Sequence, residues 1–466
     1  MACDLGDEKM NTTNTDNIKN RKVLVVGFGR SGQAAARELI RVGAYVSVQD
    51  SGTEDKFDPN LISFMRNNGV EFYLGREPED MGEFDMLVLS PGVSPELDFV
   101  QDALAKGAEI TGELEIAYRV GKGNFVAITG TNGKTTTTTL TGEIFKRSGR
   151  NTYVVGNIGK PVISISSESK EDDWLVTETS SFQLETTKYF RPVISAILNL
   201  TPDHLNRHHT MEAYGQAKAR VFANQQENGY LIINKDDERC FALAENAKAK
   251  IIPFSLKEKP QPGAYLDGDT LMLADEQGVQ HEICKREDLR IIGDHNVQNV
   301  LAAAAISFFA GIDMETITET IKAFRGVEHR IEYCGEVDGV KYYNDSKGTN
   351  VDATVTAINA VGHDVILIAG GDAKKQDFAP LVKEFRGRVK KLILLGRDAH
   401  MIQEACDSEG YTDYVYCSDM NECVRTAHDL AEPGDTVLLS PACASWDMYD
   451  NFEQRGRHFK DCVRGL

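Results

Sequence analysis

The stretch from Asn124 to Thr139, NFVAITGTNGKTTTTT, constrains the fold more than any other part of the chain. Its apolar run, residues 125–128, is typical of a buried parallel strand, and it leads through a glycine loop into a predicted helix. Glycines let backbone N–H groups approach an anion, and the helix N-terminus adds its positive dipole end. Lys134 is then expected to reach nucleotide phosphates and Thr135 to bind Mg²⁺. The first glycine of GxxxxGKS/T would fall at Ile128, but the order of strand, loop and helix still predicts an ATP-type site.

A second glycine loop lies near the beginning of the chain. Residues 22–26 form a predicted strand that runs into GFGRSG, residues 27–32, and a second strand ends at Asp50. A GxGxxG loop with an acidic residue about 20 positions later is typical of a Rossmann site. The same geometry holds NAD, another nucleotide diphosphate or a sugar nucleotide. A further strand, residues 86–89, stops at Ser90-Pro91-Gly92, where ligands of open α/β sheets bind.

Composition excludes several classes of function. Lys+Arg 51 against Asp+Glu 71 gives a net charge of −20, which repels nucleic acid and anionic membranes. The nine cysteines form no CxxC pair, so we expect reduced thiols and a cytoplasmic protein. Residues 1–20 are polar, resemble no targeting peptide, and are expected to be a disordered extension. No apolar run approaches the length of a membrane span.

Two strands of the central region carry polar residues at their ends. The strand at residues 173–177 is followed by Glu178, and the predicted strand at residues 193–200 runs into Asp203 and His204. A carboxylate and an imidazole near a phosphate loop indicate a metal–nucleotide site. A surface or helix-capping histidine is the alternative for His204.

Lys218 falls in the middle of the apolar face of a predicted helix, residues 211–223. A lysine in such a position usually extends its ammonium to solvent. The alternative is an inward amine with a depressed pKa, which can serve in catalysis or be modified.

The last third of the chain contains another α/β unit, which starts near Glu328. Its predicted strands end in polar residues, and before it Asn296 and Asn299 share one side of a helix's first turn, as nucleotide ligands or N-caps. We therefore predict an α/β protein with a Rossmann-like N-terminal domain, a central P-loop-type ATPase domain with a parallel sheet, and a Rossmann-like C-terminal domain. Their predicted bounds are 21–112, 113–327 and 328–466.

With these motifs in order, the chain resembles the Mur ligase family from residue 21 onwards. The matching blocks are GTNGKT, TETSSFQLETT, NLTPDHLNRH, GDHNVQN, EHR, NDSKGTN, GGDAKK and SPACASWDMYDNFEQRG. The resemblance implies ATP-dependent amide formation through an acyl phosphate, in peptidoglycan precursor synthesis. SSFQLETT and SPACAS with NFEQRGR resemble members that add D-glutamate to UDP-N-acetylmuramoyl-L-alanine. It also implies a monomer with small-molecule substrates and neither nucleic acid nor membrane as a partner.

The resemblance assigns catalytic and metal-binding roles to two loop residues and to three other residues of the central region. Thr135 and Glu178 are implied to hold one Mg²⁺, His204 and Lys218 the other, with Mn²⁺ as a substitute. Lys218 is expected to be carbamylated, because an ammonium cannot ligate a cation whereas a carbamate offers oxygens. The implied catalytic set is Lys134, Glu178, His204 and Lys218.

The implied substrate-binding residues fall into three groups. ATP is expected at Gly130, Thr131, Asn132, Gly133, Lys134, Thr135, Thr136, Asn299, Arg330 and Asp345, with Arg330 on the phosphates and Asp345 on the ribose. The UDP-substrate is expected at Arg30, Ser31, Asp50, Ser90, Pro91, Gly92 and Asn157. D-Glutamate is expected at Thr349, Lys374, Ser445 and Phe452. An arginine that some members carry after Asp50 is absent, because the chain reads Ser51-Gly52-Thr53.

Three rival functions stay open at the level of sequence. The first is another amide ligase of this superfamily. Such a ligase would add L-alanine, would add a diamino acid, or would add glutamate to folate. An NAD-dependent dehydrogenase would use the N-terminal glycine loop but leave the phosphate loop, Glu178, His204 and Lys218 without a role. A non-catalytic nucleotide-binding regulator is the third. For a ligase, we expect closure of the central and C-terminal domains about a hinge at residues 326–330.

Overall fold

The structure, a computed structural model, describes residues 17–373 and 376–466. Its contacts divide the chain into two compact units. The first runs to Asp288 and includes Gln298–Ala323, and the second comprises Leu289–Val297 and Phe324–Leu466. The predicted N-terminal and central domains therefore belong to one compact unit, and the predicted C-terminal domain forms most of the other.

The N-terminal domain is an open parallel sheet with helices in the connections. The strand order is β3-β2-β1-β4-β5 and every neighbouring pair is parallel, as a Rossmann-like domain requires. Its elements are β1 (Lys22–Val26), α1 (Arg30–Arg41), β2 (Tyr45–Asp50), α2 (Pro59–Asn67), β3 (Glu71–Leu74), β4 (Met86–Leu89), α3 (Asp98–Ala105) and β5 (Glu109–Gly112).

Residues 17–20, which we had assigned to a disordered extension, belong to this domain. Ile18 is fully buried in its core, and the Asn20 N–H donates to the Gly43 carbonyl over 2.8 Å. The polar composition of residues 1–20 hid this anchor, because a single apolar residue carries no periodic pattern. Residues 1–16 lie outside the described residues.

The central domain is built on a nine-stranded sheet of order β14-β13-β12-β11-β10-β9-β6-β8-β7. The strands from β7 to β12 are parallel, and β13 and β14 add an antiparallel edge that the sequence did not predict. The elements are α4 (Glu113–Val120), β6 (Asn124–Thr129), α5 (Lys134–Arg147), β7 (Thr152–Gly156), α6 (Ile163–Ser166), β8 (Trp174–Glu178), α7 (Ser181–Leu184), β9 (Ile194–Ile197), α8 (Leu205–His208), α9 (Met211–Ala219), β10 (Tyr230–Asn234), α10 (Glu238–Ala242), β11 (Lys250–Ser255), β12 (Gly263–Asp267), β13 (Thr270–Ala274), β14 (Gln280–Lys285), α11 (Asp294–Phe309) and α12 (Met314–Ala323).

The C-terminal domain has a six-stranded sheet of order β15-β16-β20-β17-β18-β19, parallel except for the edge strand β15. Two apolar clusters cover its faces, with helices on both sides. Its elements are β15 (Glu332–Val337), β16 (Val340–Asn344), α13 (Val351–Val361), β17 (Val365–Ala369), α14 (Ala379–Lys383), β18 (Val389–Leu394), α15 (Ala399–Glu409), β19 (Tyr414–Tyr416), α16 (Met420–Leu430), β20 (Thr436–Leu439) and α17 (Phe452–Arg464).

The sheets place their polar loops by a simple rule: the carboxyl ends of parallel strands meet at one edge. β1, β6 and β17 are almost wholly buried, so their positions are fixed by packing on both faces. The predicted α/β architecture is confirmed. None of the described helices is long and apolar enough to cross a membrane.

Candidate functional site

The phosphate loop forms where strand β6 gives way to helix α5. Gly130 has φ +150° and Gly133 φ +83°, conformations that L side chains rarely adopt. A Cβ on Gly133 would lie 2.2 Å from the Asn299 Oδ1, so the loop also needs glycine there for space. The Asn299 Oδ1 in turn accepts from the Thr137 hydroxyl over 3.3 Å. Asn299 therefore packs against the phosphate loop, where it was predicted to act.

Asn199, which follows strand β9, fixes the loop's conformation from the other side. Its Oδ1 accepts from the Asn132 N–H over 2.8 Å, and its Nδ2 donates to the Asn132 carbonyl over 3.1 Å. Its own carbonyl accepts from the Thr131 N–H over 3.1 Å. Asn199 was missed at the level of sequence, although it opens the NLTPDH block. An asparagine after an apolar run carries no sign of which distant loop it will meet.

Two lysines converge on one backbone carbonyl of the loop. Lys134 Nζ donates to the Gly130 carbonyl over 3.0 Å and to the Thr131 carbonyl over 2.7 Å. Lys218 Nζ donates to the same Gly130 carbonyl over 2.8 Å. The loop thus gathers two amines at the end of β6, where phosphate oxygens would be expected to bind.

Lys218 is 1% exposed, so the solvent-facing interpretation is wrong and the inward one is confirmed. Its Nζ lies 4.5 Å from the centre of the Tyr214 ring. Burial, and secondarily the charge of Lys134, lower the pKa of Lys218 well below its ordinary value. A neutral amine is therefore favoured here, as a modifiable lysine requires.

Glu178 ends strand β8 beside the phosphate-loop strand. It pairs with Ile128 in the β6–β8 register and is 1% exposed. Its Oε1 accepts from Asn157 Nδ2 over 2.8 Å, whereas its buried Oε2 has no hydrogen-bond partner among the described residues. A buried carboxylate oxygen without a partner is costly, and a cation would satisfy it.

The donor chemistry fits Mg²⁺ at one of the two expected positions. The Thr135 hydroxyl and the Glu178 carboxylate are hard oxygen donors on the loop helix and on the neighbouring strand. The Lys218 nitrogen donates to a carbonyl, and it is a poor ligand for Mg²⁺, because an ammonium has no lone pair and Mg²⁺ prefers oxygen to an amine nitrogen. The second position fits a metal only if Lys218 carries added oxygens.

His204, one of the predicted site residues, has an exposed side chain. It occupies the N-cap position of the short helix α8 with φ +54°, and its side chain is 49% exposed. The buried histidine is instead His208, whose Nε2 lies 2.9 Å from the Ser181 Oγ. Burial, with the charge of Arg207, lowers the pKa of His208 to about 4. We find His208 neutral and structural, while the metal role of His204 stays a prediction.

The N-terminal domain brings three strand-end loops together around its glycine turn. A Cβ on Gly32 would lie 1.9 Å from the Gly27 carbonyl, which also accepts from the Ser90 hydroxyl over 2.8 Å. The Asp50 Oδ2 accepts from the Phe28 N–H over 2.6 Å, and its Oδ1 accepts from the Gly52 N–H over 2.7 Å. Asp50 therefore ties two loops together through both of its carboxylate oxygens. Pro91 and Gly92 lie on the loop that follows β4, and Ser31 lies in the first turn of α1, directly after the glycine turn.

Two contacts connect these loops to the central domain. Arg30 Nη2 donates to the Gly159 carbonyl over 2.7 Å, in the loop that contains Asn157. Arg207 Nη2 donates to the Val93 carbonyl over 2.8 Å and also pairs with Glu185. Arg207, missed at the level of sequence, thus links the His204 loop to the Ser90 loop.

In the second unit, Asp345 joins the ends of two parallel strands. Its Oδ2 accepts from the Ser440 hydroxyl over 2.7 Å, and its Oδ1 accepts from the Ile331 N–H over 3.2 Å. Burial raises the pKa of Asp345 to about 6, although the hydrogen bond from Ser440 and the charge of Arg330 act to lower it. The Arg330 Nε is buried and has no hydrogen-bond partner in the described chain, as a group awaiting an anion would be.

Three of the residues predicted for D-glutamate, Thr349, Ser445 and Phe452, belong to the described part of this unit. Ser445 is buried, and the Phe452 carbonyl accepts from the Ser346 hydroxyl over 2.8 Å. Thr349 follows that hydroxyl by three residues and is half-buried. Lys374 lies outside the described residues.

Arg455 holds these loops together and was also missed. Its guanidinium is 3% exposed and donates to the Ser346 and Cys443 carbonyls over 2.9 and 3.1 Å. Burial lowers its pKa to about 10. Its place inside NFEQRG was visible, but a buried arginine bonded mainly to carbonyls cannot be told from a surface arginine by pattern.

Three family models match the chain. The model described as Mur ligase MurD-like, N-terminal domain matches residues 21–112. The Mur ligase middle domain matches residues 128–307, and the Mur ligase, glutamate ligase domain matches residues 329–443.

Curated relatives are similar over nearly the whole chain. A Caldanaerobacter subterraneus subsp. tengcongensis protein named UDP-N-acetylmuramoylalanine--D-glutamate ligase is 46% identical over 452 residues, covering 96% of this chain and 99% of the relative. A Clostridioides difficile protein of the same name is 45% identical over 450 residues, with the same coverage.

Solved structures share the fold at low identity. The UDP-N-acetylmuramate-alanine ligase MurC from Thermotoga maritima has a TM-score of 0.57 and 18% identity, over 96% of this chain and 100% of that one. MurF from Acinetobacter baumannii has a TM-score of 0.59 and 17% identity, over 89% and 90%. At these identities the likeness concerns the fold alone.

Proposed function

The chain belongs to the Mur ligase family, and we propose that it joins D-glutamate to UDP-N-acetylmuramoyl-L-alanine with conversion of ATP to ADP and phosphate, in peptidoglycan precursor synthesis. The observation that carries the ligase chemistry is the convergence of Lys134 and Lys218 on the Gly130 carbonyl, at the end of the strand that pairs with Glu178. The choice of D-glutamate as the acceptor is supported by the relatives of that name.

The first chemical step would transfer the γ-phosphoryl group of ATP to the L-alanyl carboxylate. Phosphoryl transfer depends mainly on positioning and charge neutralisation, which the loop N–H groups and Lys134 can supply. The amine of D-glutamate would then attack the acyl phosphate, and the tetrahedral intermediate would collapse with loss of phosphate. Amide formation thereby uses the phosphate as a leaving group in place of water.

Mg²⁺ would be held by Thr135 and Glu178, and when bound it neutralises phosphate charge. Glu178 would use its unpartnered Oε2 while Asn157 keeps its Oε1 in place. His204 and Lys218 would hold a second ion, which Mn²⁺ could replace. Arg330, on the second unit, would bind the ATP phosphates and Asp345 the ribose.

Lys218 is proposed to carry a carbamate formed from CO₂. Its burial and lowered pKa favour the neutral amine that reacts with CO₂, and the carbamate would supply the oxygens that an amine lacks. In ¹³C-bicarbonate, the purified protein should show a carbamate carbon signal by NMR. A Lys218→Met variant is the control, and an active protein without the signal would remove the proposal.

The N-terminal domain is proposed to bind the uridine nucleotide at Arg30, Ser31, Asp50 and the Ser90–Gly92 loop. Because both Asp50 oxygens accept backbone N–H groups, Asp50 would mainly shape this pocket. The contacts to D-glutamate would come from the second unit, at Thr349, Lys374, Ser445 and Phe452.

Substitution of Lys134 tests the ATP site directly. With ATP, Mg²⁺, D-glutamate and the UDP-substrate, the native protein should release phosphate, and Lys134→Ala should reduce the rate by at least about 100-fold. Lys146→Ala is the matched control, because Lys146 lies exposed in the last turn of the same helix. Equal rates for both variants would reject the proposed site.

A further inference from the structure

The segment that carries Arg330 is conformationally strained. His329 has φ +65° and Ile331 φ +45°, so the residues on both sides of Arg330 lie in the left-handed region. For a β-branched residue such as isoleucine this is a rare conformation, and it is unfavourable unless the surrounding structure imposes it. The structure around the segment must therefore hold it in place.

Lys460, on helix α17, makes the strongest such contact. Its Nζ lies 2.6 Å from the Glu328 Oε1 and 2.9 Å from the Glu332 Oε1, so one ammonium connects the two ends of the strained segment. The side chains of Lys460 and Glu332 are 13% and 24% exposed, so their pair is better shielded from water than an ordinary surface ion pair. The Glu328 side chain is 58% exposed, so its pair adds a second attachment that is closer to a surface ion pair.

His329 is enclosed on the inner side of the same segment. Its backbone N–H donates to the Glu332 Oε2 over 2.9 Å, and its ring Nδ1 lies 2.9 Å from the Asn344 Nδ2. A Cβ on Gly456, four residues before Lys460 on α17, would lie 2.2 Å from that Nδ1. Helix α17 therefore packs closely against the segment at Gly456 and forms ion pairs with it through Lys460.

The cluster of Glu328, His329 and Glu332 could be mistaken for a metal site, because their ligand atoms lie within 4.8 Å of one another. The ammonium of Lys460 is already hydrogen-bonded to both carboxylates. The His329 Nδ1 accepts from Asn344, an orientation fixed by the Asn344 Oδ1 accepting from the Ser346 N–H over 3.1 Å. The cation of this cluster is therefore the protein's own lysine.

We propose that Lys460 is a positioning residue for ATP binding: through Glu328 and Glu332 it holds the strained segment so that Arg330 faces the phosphates. The same segment supplies the Ile331 N–H that orients Asp345. The inference rests on the proposed role of Arg330 and Asp345 in ATP binding. It adds a residue that contacts no substrate and lies on a different element.

The test compares two lysines of the same geometry. Lys390 also bridges two carboxylates, with its Nζ 2.8 Å from the Glu432 Oε2 and 3.0 Å from the Asp435 Oδ2. Lys460→Met should weaken the Kd for Mg·ATP, measured by calorimetry, by about tenfold, whereas Lys390→Met should leave it unchanged. Lys460→Arg should restore most of the affinity.

A second readout separates positioning from general stability. In an Arg330→Met background, Lys460→Met should weaken ATP binding by less than about twofold, because the group it positions is already gone. Equal Kd values for native and Lys460→Met protein would overturn the inference, and so would a full effect in the Arg330→Met background. Because the Kd needs no turnover, a protein that binds ATP without releasing phosphate would reject the proposed function and still test Lys460.

Discussion

At the scale of residues, the unusual feature is that several ionisable side chains are almost fully buried. Lys218, Glu178 and Arg455 are each at most 3% exposed. Burying a charge is costly unless it is paired, so such groups either change protonation state or bind an ion. Lys218 and Glu178 flank the phosphate loop, and this points to a site completed by substrates and metal. Arg455 instead gains its partners from backbone carbonyls.

Glu113, at the first turn of α4, gives a pH-dependent prediction. Burial raises its pKa from 4.5 to about 7, although its Oε1 accepts from the Ile163 N–H over 2.6 Å. Between these values the folded protein binds more protons than the unfolded chain, so stability falls as pH rises from about 4.5 to 7, by roughly 3 kcal/mol. Above pH 7 the loss is complete and constant.

Glu113→Gln should remove this dependence, because the amide keeps the acceptor and cannot ionise. Its thermal midpoint should be close to that of the native protein at pH 5 and above it at pH 8. Glu77→Gln, at an exposed position, is the control, and its difference in thermal midpoint from the native protein should be the same at pH 5 and pH 8. A Glu113→Gln offset that is the same at pH 5 and pH 8 would show that the carboxyl does not titrate in this range.

Sequence predicted the residues whose chemistry is visible in their type. Lys134, Glu178 and Asn299 lie at or beside the phosphate loop, and their sequence positions were a glycine loop, a strand end and the start of a helix. Asn199, Arg207 and Arg455 could not be predicted, because their partners come from segments 67 to 114 residues away. The orientation of Lys218 was also undecided by pattern, since an apolar helix face tolerates a lysine in either direction.

At the scale of elements, helix α5 carries the phosphate loop at one end and an ordinary turn at the other. Gly133 before it and Gly149 after it have the same φ, +83°. A Cβ at Gly133 would collide with Asn299, whereas a Cβ at Gly149 would meet nothing within 4 Å. An alanine at either position would therefore be strained by the left-handed backbone, but only an alanine at Gly133 would also collide with Asn299.

Gly133→Ala and Gly149→Ala separate these two effects. Each should lose about 1–2 kcal/mol of stability from the left-handed conformation. Only Gly133→Ala should also weaken Mg·ATP binding, by at least about tenfold, because Asn299 and the loop must move apart. The measurement is calorimetric titration of both variants, and equal affinities would show that the Gly133–Asn299 contact does not shape the site.

Element boundaries were predicted less well than element types. Helix α11 begins at Asp294, so Asn296 lies in its first turn and Asn299 in its second, whereas both were predicted in the first turn. Strand β9 ends at Ile197 rather than Leu200, since Asn199 turns to bond the phosphate loop. Helix α9 ends at Ala219, before Val221 and Phe222, which are still buried.

At the scale of the whole molecule, three α/β sheets form two compact units. The alternation of apolar strands and helices was enough to predict three sheets, but not that the first two share one unit. A cluster of buried side chains runs from Ile18 to Ala249 and so spans both. The antiparallel strands β13 and β14 were not predicted, because short alternating segments between charged turns give a weak signal.

The proposed reaction needs groups from all three sheets. The uridine nucleotide would bind the first, ATP and metal the second, and D-glutamate the third. An NAD-dependent dehydrogenase would use only the first. The family assignment over the whole chain therefore accounts for all three strand-end loop clusters with one reaction.

The most direct test is phosphate release from ATP and Mg²⁺ in the presence of UDP-N-acetylmuramoyl-L-alanine. D-Glutamate, L-glutamate, L-alanine and a diamino acid would be supplied in parallel reactions. Release that depends on D-glutamate alone is the predicted result, and it would establish the reaction and its acceptor together. Phosphate release with a different amino acid would contradict the proposed function. No release with any of the four amino acids would also contradict it.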